Sequence, residues 1–361
     1  MRKSTIRDYL WDVMNDRAPG LKGGVVGLLL KGSSIFYKLA VILIRWLYQR
    51  SVLPSYKLGR PVICIGNITV GGTGKTPVVQ WVVSVLKADG LNPVILTRGY
   101  MARSQSAAGS VLSDEAVLLS ESLGVPVIVD KDRRRGAAKA IREFEVDVFV
   151  MDDGFQHWRV KRDLDIVVIN SANPFGNGEV LPRGVLREPL SALGRAGYFI
   201  LNKADVAEDR GKKAKEFLKE KFFHIPLVVA GYSIFEYQDL QGRHLQLSEE
   251  QLRQPAFVVC SIGDPESFRR KLLDQRIQVA GFHDYPDHCV FSDQDVDDIC
   301  TEVKKSGVRR LFMTHKDAVK LRVFHRQFQE KQIECCVVFI RVGIEDGKEE
   351  LISRIRHACS A

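Results

Sequence analysis

Beyond residue 60 the chain alternates short apolar runs with longer amphipathic stretches. The runs at 61–66, 92–97, 126–130, 146–151, 165–170 and 197–201 are rich in Val and Ile, and turn residues bound them. Short β-branched runs of this kind predict buried strands. Between them, Val78, Val79, Trp81, Val82, Val83 and Leu86 recur at helical spacing up to Asp89-Gly90, and 114–122, 134–144 and 214–222 read as further helices. Strands alternating with helices of this length predict an α/β fold, a parallel sheet with helices on both faces. After Val229 the pattern changes to two extended runs around Gly242, which reads as a hairpin, and 256–261, 310–314 and 335–341 then open a second, smaller α/β unit. The expected layout is an N-terminal arm over 1–60, a first domain over 61–228, a hairpin linker over 229–254 and a C-terminal domain over 255–361.

The arm differs from the rest. Residues 23–48 are strongly apolar, yet Lys31, Lys38 and Arg45 interrupt them, and the longest uncharged run is the eight residues 23–30. That falls short of the roughly 20 residues needed to span a bilayer, and the mixed charge of the first 22 argues against a signal peptide. The three cations are seven apart, so on a helix they drift by about 20° per step and form one stripe. Ile35, Phe36, Leu39, Val41, Ile42, Leu43, Ile44, Trp46 and Leu47 fill most of the remaining circumference. An amphipathic helix over about 24–49, lying in an anionic membrane interface, accounts for this pattern, and a core helix with one wet stripe is the alternative.

Charge supports the local reading. The formal net charge is +9, but residues 1–60 hold eleven basic and three acidic residues, and the other 301 are nearly balanced. Nucleic acid is therefore not an expected partner of the whole chain. The seven scattered cysteines make neither a disulfide framework nor a zinc motif, which points to a reducing compartment.

The clearest chemistry follows the first strand. Asn67-Ile-Thr69-Val70-Gly71-Gly72-Thr73-Gly74-Lys75-Thr76-Pro77 precedes a helix, the strand, glycine loop, Gly-Lys-Thr and helix order of a phosphate-binding loop. Glycines let backbone N–H groups close around phosphate oxygens, and the helix N-terminus adds its dipole. Lys75 is positioned for the β/γ-phosphates and the Thr76 hydroxyl for Mg²⁺. The usual first glycine is replaced by Thr69. The strand at 146–151 ends in Asp152-Asp153-Gly154-Phe155-Gln156-His157, and carboxylates at the C-terminal end of a parallel strand sit where ligands bind. One of the two would hold Mg²⁺, directly or through water.

In combination, 67–77, Thr97-Arg-Gly-Tyr100, Ser113-Asp-Glu115, Asp132-Arg133, 152–157, Leu181-Pro-Arg-Gly-Val-Leu-Arg-Glu-Pro189 and Thr314-His-Lys-Asp-Ala-Val-Lys320 resemble the tetraacyldisaccharide 4'-kinase family over roughly 24–325. The resemblance implies a P-loop NTPase-type sheet. It also implies ATP- and Mg²⁺-dependent phosphorylation of the 4'-hydroxyl of an acylated glucosamine disaccharide 1-phosphate, giving lipid IVA. The enzyme would be peripheral, at the cytoplasmic face of the bacterial inner membrane, with no obligate protein partner. By position, Thr69 to Thr76 would hold the nucleotide, with Lys75 and Thr76 at the phosphates and metal. Asp153 would be the main metal carboxylate, with Asp152 beside it and Glu115 in support. Asp114 would be the base for the sugar hydroxyl, paired with His288 of Pro286-Asp-His-Cys289, and Arg187 would meet phosphate charge. The family has Gly where this chain has Ser113. The expected cleft has Asp114 and the phosphate loop on one wall and His288 on the other.

Other readings remain. Asn202-Lys203-Ala204-Asp205 matches the Asn-Lys-x-Asp element with which P-loop GTPases grip guanine, which makes a metal-insertion GTPase the alternative. Asp153-Gly154 lacks the Asp-x-x-Gly spacing of switch proteins. A membrane-bound nucleotide-binding scaffold without transfer chemistry, and a metal site built from His283, Asp284, Asp287 and His288, are two more.

Overall fold

The computed structural model describes residues 6–16, 20–99, 104–105, 111–112, 114–202, 208–287, 289–344 and 346–360. The chain divides into two compact units, 1–98 with 125–231 and 344–361, and 99–124 with 232–343.

In the first unit the apolar runs become strands with both faces covered, as β-branched segments without period-two alternation must. The order across the sheet is Leu227–Gln238, Tyr198–Asn202, Leu164–Asn170, Val62–Gly66, Val148–Asp152, Pro93–Thr97 and Val127–Val129, every neighbouring pair parallel. Val62–Gly66, in the middle, is buried at all five positions. Six of these strands sit within a residue or two of their expected runs, and the seventh, Leu227–Gln238, takes up the start of the segment read as a hairpin linker. Asp147 falls just outside the strand it was read into, and its carboxylate accepts from the backbone and side-chain N–H groups of Asn92. Helix Lys75–Ala88 buries Val78, Val79, Val82, Val83 and Leu86. The C-terminal helix Lys348–Cys359 also packs in this unit through Leu351, Ile355 and Ala358, and its Arg356 grips Asp89 at 2.6 and 2.8 Å. The expected layout had placed that helix in the second unit.

The arm forms two helices, Ile6–Met14 and the 30-residue Gly20–Gln49. By length and composition Gly23–Gln49 could cross a bilayer. One face is nevertheless committed to protein. Gly27 lies against Arg183, the buried Ser34 hydroxyl donates to Val180 O at 2.7 Å, Tyr37 donates to Arg187 O at 2.9 Å, and Val41 is buried. Further along, the rings of Tyr48 and Trp158 are 6.0 Å apart. Of the apolar residues assigned to the membrane side, Val41 is buried and Leu47 half-buried, whereas Ile35, Phe36, Leu39, Ile42, Leu43, Ile44 and Trp46 are exposed. Lys31 and Lys38 are exposed, and Arg45 is half-buried at the docked edge.

The second unit has its own parallel order, Gln278–Asp284, Pro255–Cys260, Arg310–Thr314, Glu334–Ile344. The expected hairpin is a tight return, in which Asp239 N–H donates to Arg243 O and Leu245 N–H to Tyr237 O. Helix Asp114–Leu123, although it lies within the first domain's sequence, belongs to this unit and packs on helix His315–Leu321, with Arg322 reaching Glu121 at 3.2 Å.

Candidate active site

The site grows from the C-terminal end of the central strand Val62–Gly66. Phe155 closes so tightly over Gly66 that an added Cβ would lie 2.5 Å from Phe155 Cβ. The following loop is held from its flank by 185–187. Val70 N–H donates to Val185 O and Arg187 N–H to Ile68 O, both at 2.8 Å, and Thr69 bridges Leu186. Thr69 is buried there, so the residue that replaces the usual glycine serves as a backbone splice and needs no positive φ. Gly71 and Gly74 do need one, at φ 102° and 76°, where a Cβ is disfavoured. Gly72 is exposed and Thr73 buried. The Asn202 amide donates to Thr73 O at 3.0 Å and Gly74 O at 3.4 Å, bracing the loop from below.

Lys75 and Thr76 open helix Lys75–Ala88, whose first N–H groups have no intrahelical acceptor. The Lys75 ammonium lies 3.3 Å from Asp153 Oδ1. Asp153 directly follows strand Val148–Asp152, and its φ of 54° turns it out of the sheet line. Arg187 Nη1 donates to both Asp153 oxygens at 2.9 Å. Burial alone would raise the Asp153 carboxyl, but Lys75 and Arg187 outweigh it and hold the group below the usual carboxylate range. The centre is thus an ionised carboxylate clasped by two cations. Asp152, its neighbour, is buried, and its carbonyl faces the buried Arg133 guanidinium at 3.5 Å. Of the pair, Asp153 is the more exposed, with a side chain 38% accessible.

The structure brings together Lys75, Asp153 and Arg187, with Thr76 in the same helical turn as Lys75. Asp114 and Glu115 open helix Asp114–Leu123, but their side chains lie outside the described residues, as do His288 and Lys203, Ala204 and Asp205. Among the described residues no group of three or more His, Cys, Asp or Glu could hold a metal, and the site read from His283, Asp284, Asp287 and His288 includes His288, which lies outside them. His283 Nδ1 pairs with Glu302 at 2.7 Å. Three contributors were not assigned from sequence. Gln156 and Glu188 sat within quoted motifs without a role, and Arg195 carried no local signal at all. Glu188 is fully buried, Arg195 donates to it at 2.8 Å, and Gln156 donates to it at 3.1 Å.

Comparison with known proteins agrees with this geometry. The family model described as Tetraacyldisaccharide-1-P 4'-kinase matches residues 26–359. The tetraacyldisaccharide 4'-kinases of Halothermothrix orenii and Elusimicrobium minutum are 31% and 32% identical, over 96% and 91% of this chain and 95% and 91% of theirs. The crystal structure of LpxK from Aquifex aeolicus in complex with ATP is similar with a TM-score of 0.71 at 26% identity, over 92% of this chain and 99% of that one. A loop braced for phosphate, two cations on one carboxylate and a match of this extent lead to one assignment: the chain belongs to the tetraacyldisaccharide-1-P 4'-kinase family.

Proposed function

We propose that the protein transfers the γ-phosphate of ATP to the 4'-hydroxyl of tetraacyldisaccharide 1-phosphate, forming lipid IVA in lipid A biosynthesis. The observation that carries the chemistry is the convergence of Lys75 and Arg187 on Asp153 at the mouth of the loop. Phosphoryl transfer needs little covalent help. Positioning and neutralisation of spreading charge do most of the catalysis. The loop N–H groups and the helix N-terminus cradle the phosphates, and Lys75 turns from Asp153 to the β/γ-oxygens. Arg187, tethered on Asp153, meets charge on the transferred group or on the lipid phosphate. Asp153 and the Thr76 hydroxyl would hold Mg²⁺. One reachable carboxylate and one hydroxyl suit a cation that keeps waters and phosphate oxygens in its shell, and not an all-protein cage. When bound, that ion would supply charge neutralisation, with Asp152 and Glu115 as supporting carboxylates.

Asp114 takes the proton as the 4'-oxygen bonds to phosphorus and ADP leaves, and His288 orients and tunes it. One fact supports this pairing: each residue stands in its motif. General-base assistance contributes typically about 10²–10⁴-fold.

The enzyme works as a peripheral protein on the anionic cytoplasmic face of the inner membrane, where its lipid acceptor lies. The long helix is docked on its own domain from Gly27 to Tyr48, about 30 Å of its length at 1.5 Å per residue, which leaves it lying along the protein with its apolar face outward. Carbonate extraction of membranes should release it, and retention in the pellet would mean a spanning helix.

The test is transfer of label from γ-labelled ATP to tetraacyldisaccharide 1-phosphate with Mg²⁺, beside Lys75→Ala and Asp114→Ala. Label in the lipid that falls at least a hundredfold in both variants is expected. An unlabelled lipid with GTP hydrolysed in preference to ATP would instead favour the GTPase reading of Asn202 to Asp205.

A further inference from the structure

Behind Arg187 lies a polar network that the reaction does not directly use. Arg187 and Glu188 are adjacent in a bend that follows the bridge residue Leu186, and their side chains meet different partners. Arg187 faces Asp153, whereas Glu188 is completely buried. Arg195, at the end of the short helical turn Leu190–Arg195, lies over the Phe155 ring at 3.7 Å. It donates to Phe155 O and to Glu188 Oε2, both at 2.8 Å. Gln156 joins the two halves. Its Nε2 donates to Asn67 O at 3.0 Å and Glu188 Oε1 at 3.1 Å, and its Oε1 accepts from Arg187 Nη1 at 3.3 Å.

This arrangement allows only one orientation of the Gln156 amide. Asn67 O and Glu188 are acceptors only, and Arg187 is a donor only, so a flipped amide would mismatch all three. We propose that Glu188 and Arg195 are positioning residues that lock the Gln156 amide, so that its oxygen holds Arg187 on Asp153 in the geometry phosphoryl transfer requires. The proposal rests on the roles of Arg187 and Asp153 given above. Arg195 contributes by neutralising Glu188 in the interior and by tying it to Phe155, the residue that closes over Gly66 at the root of the loop.

A mutant cycle on the full-length enzyme tests it, with MgATP and tetraacyldisaccharide 1-phosphate as substrates. The arms are Gln156→Leu, the pair Glu188→Leu with Arg195→Met, and the triple variant. Replacing a buried ion pair by apolar residues of similar volume generally preserves the fold. Gln156→Leu and the pair are each expected to lower kcat about tenfold, one lost orienting interaction at the transition state. KM for the lipid should be unchanged, and the triple variant should lose no more than either, because all three act through one amide. If the pair variant melts more than about 5 °C below wild type, Arg195→Lys replaces it in the cycle. It keeps a cation for Glu188 without the fork that reaches Phe155, and the same non-additivity is expected. Losses that multiply to about a hundredfold in the triple variant, or a pair variant with wild-type kcat, overturn the proposal. Arg187→Ala in parallel separates the two levels. Full activity there removes the role of Arg187 and this proposal with it. An inactive Arg187→Ala beside multiplying losses removes only the positioning role.

Discussion

The exposed face of the long helix allows a quantitative test of membrane attachment. Phe36, Leu39 and Leu43 fall on the side opposite the docked Ser34 and Val41, and they are 76%, 59% and 56% exposed. Fully burying a side chain of this size contributes about 1.5–3 kcal/mol. Scaled by those exposures, the three together would contribute about 3–6 kcal/mol on entering the acyl boundary. Phe36→Ser, Leu39→Ser and Leu43→Ser combined should therefore weaken partitioning onto anionic vesicles by about 10²–10⁴-fold. Solubility and melting temperature should hold, because all three side chains are exposed. Lys31→Glu with Lys38→Glu should cost about 1 kcal/mol per lysine removed, and that loss should fade as salt screens it. The assay is co-sedimentation with phosphatidylglycerol-containing vesicles at low and high salt, with kinase activity in mixed micelles as the folding control. Partitioning of the triple serine variant within threefold of wild type would refute the assignment of this face to lipid.

Three further expectations concern the core and the loop. Gly66→Ala forces a Cβ to 2.5 Å from Phe155 Cβ and 2.9 Å from its backbone nitrogen. Overpacking of that kind costs about 1–3 kcal/mol, so the melting temperature should fall by several degrees; an unchanged melt would show that the strand end yields freely. Asn202→Leu strips the donor from Thr73 O and Gly74 O and should raise KM for ATP about tenfold with a smaller effect on kcat. An unaffected KM would mean that the loop holds its shape alone. Burial and the nearby Arg133 and Arg162 guanidinium groups push His157 down to about 4. Its folded value therefore lies below the unfolded one near 6.5, and between the two only the unfolded chain takes up the proton. Stability should fall as pH drops from about 6.5 to 4, with a shallower slope in His157→Gln. An identical slope in denaturant titrations would count against it.

Much of the site was legible because its chemistry is local. The glycines, Lys75 and Thr76 stand in one uninterrupted stretch after a strand, and Asp153 ends another apolar run, so strand periodicity alone carries both to the same edge of a parallel sheet. Arg187 was identified through its motif, though nothing local said that it would meet both oxygens of Asp153. The Asn202 element illustrates the opposite case. Its letters match a guanine-binding signature whose Lys203, Ala204 and Asp205 lie outside the described residues, and a four-residue pattern does not encode that the Asn202 side chain braces the phosphate loop.

What the amino-acid order determined by itself is therefore the strand and helix succession, the phosphate loop, the charged carboxylate end and the apolar arm with its cations. All of these follow from period, turn chemistry and neighbours within about ten residues. Only the tertiary structure decided that helix Asp114–Leu123 joins the second unit and helix Lys348–Cys359 the first, because burial of their apolar faces depends on surfaces far away in sequence. The fold likewise decided which face of the long helix is docked. Ser34 and Tyr37 find acceptors at Val180 and Arg187, about 150 residues on, and the exposed apolar side is what those bonds leave over. Glu188 and Arg195 gain meaning in the same way. A buried carboxylate is stable only beside its cation, and that cation is fixed by the packing of Phe155 against the strand that begins the site.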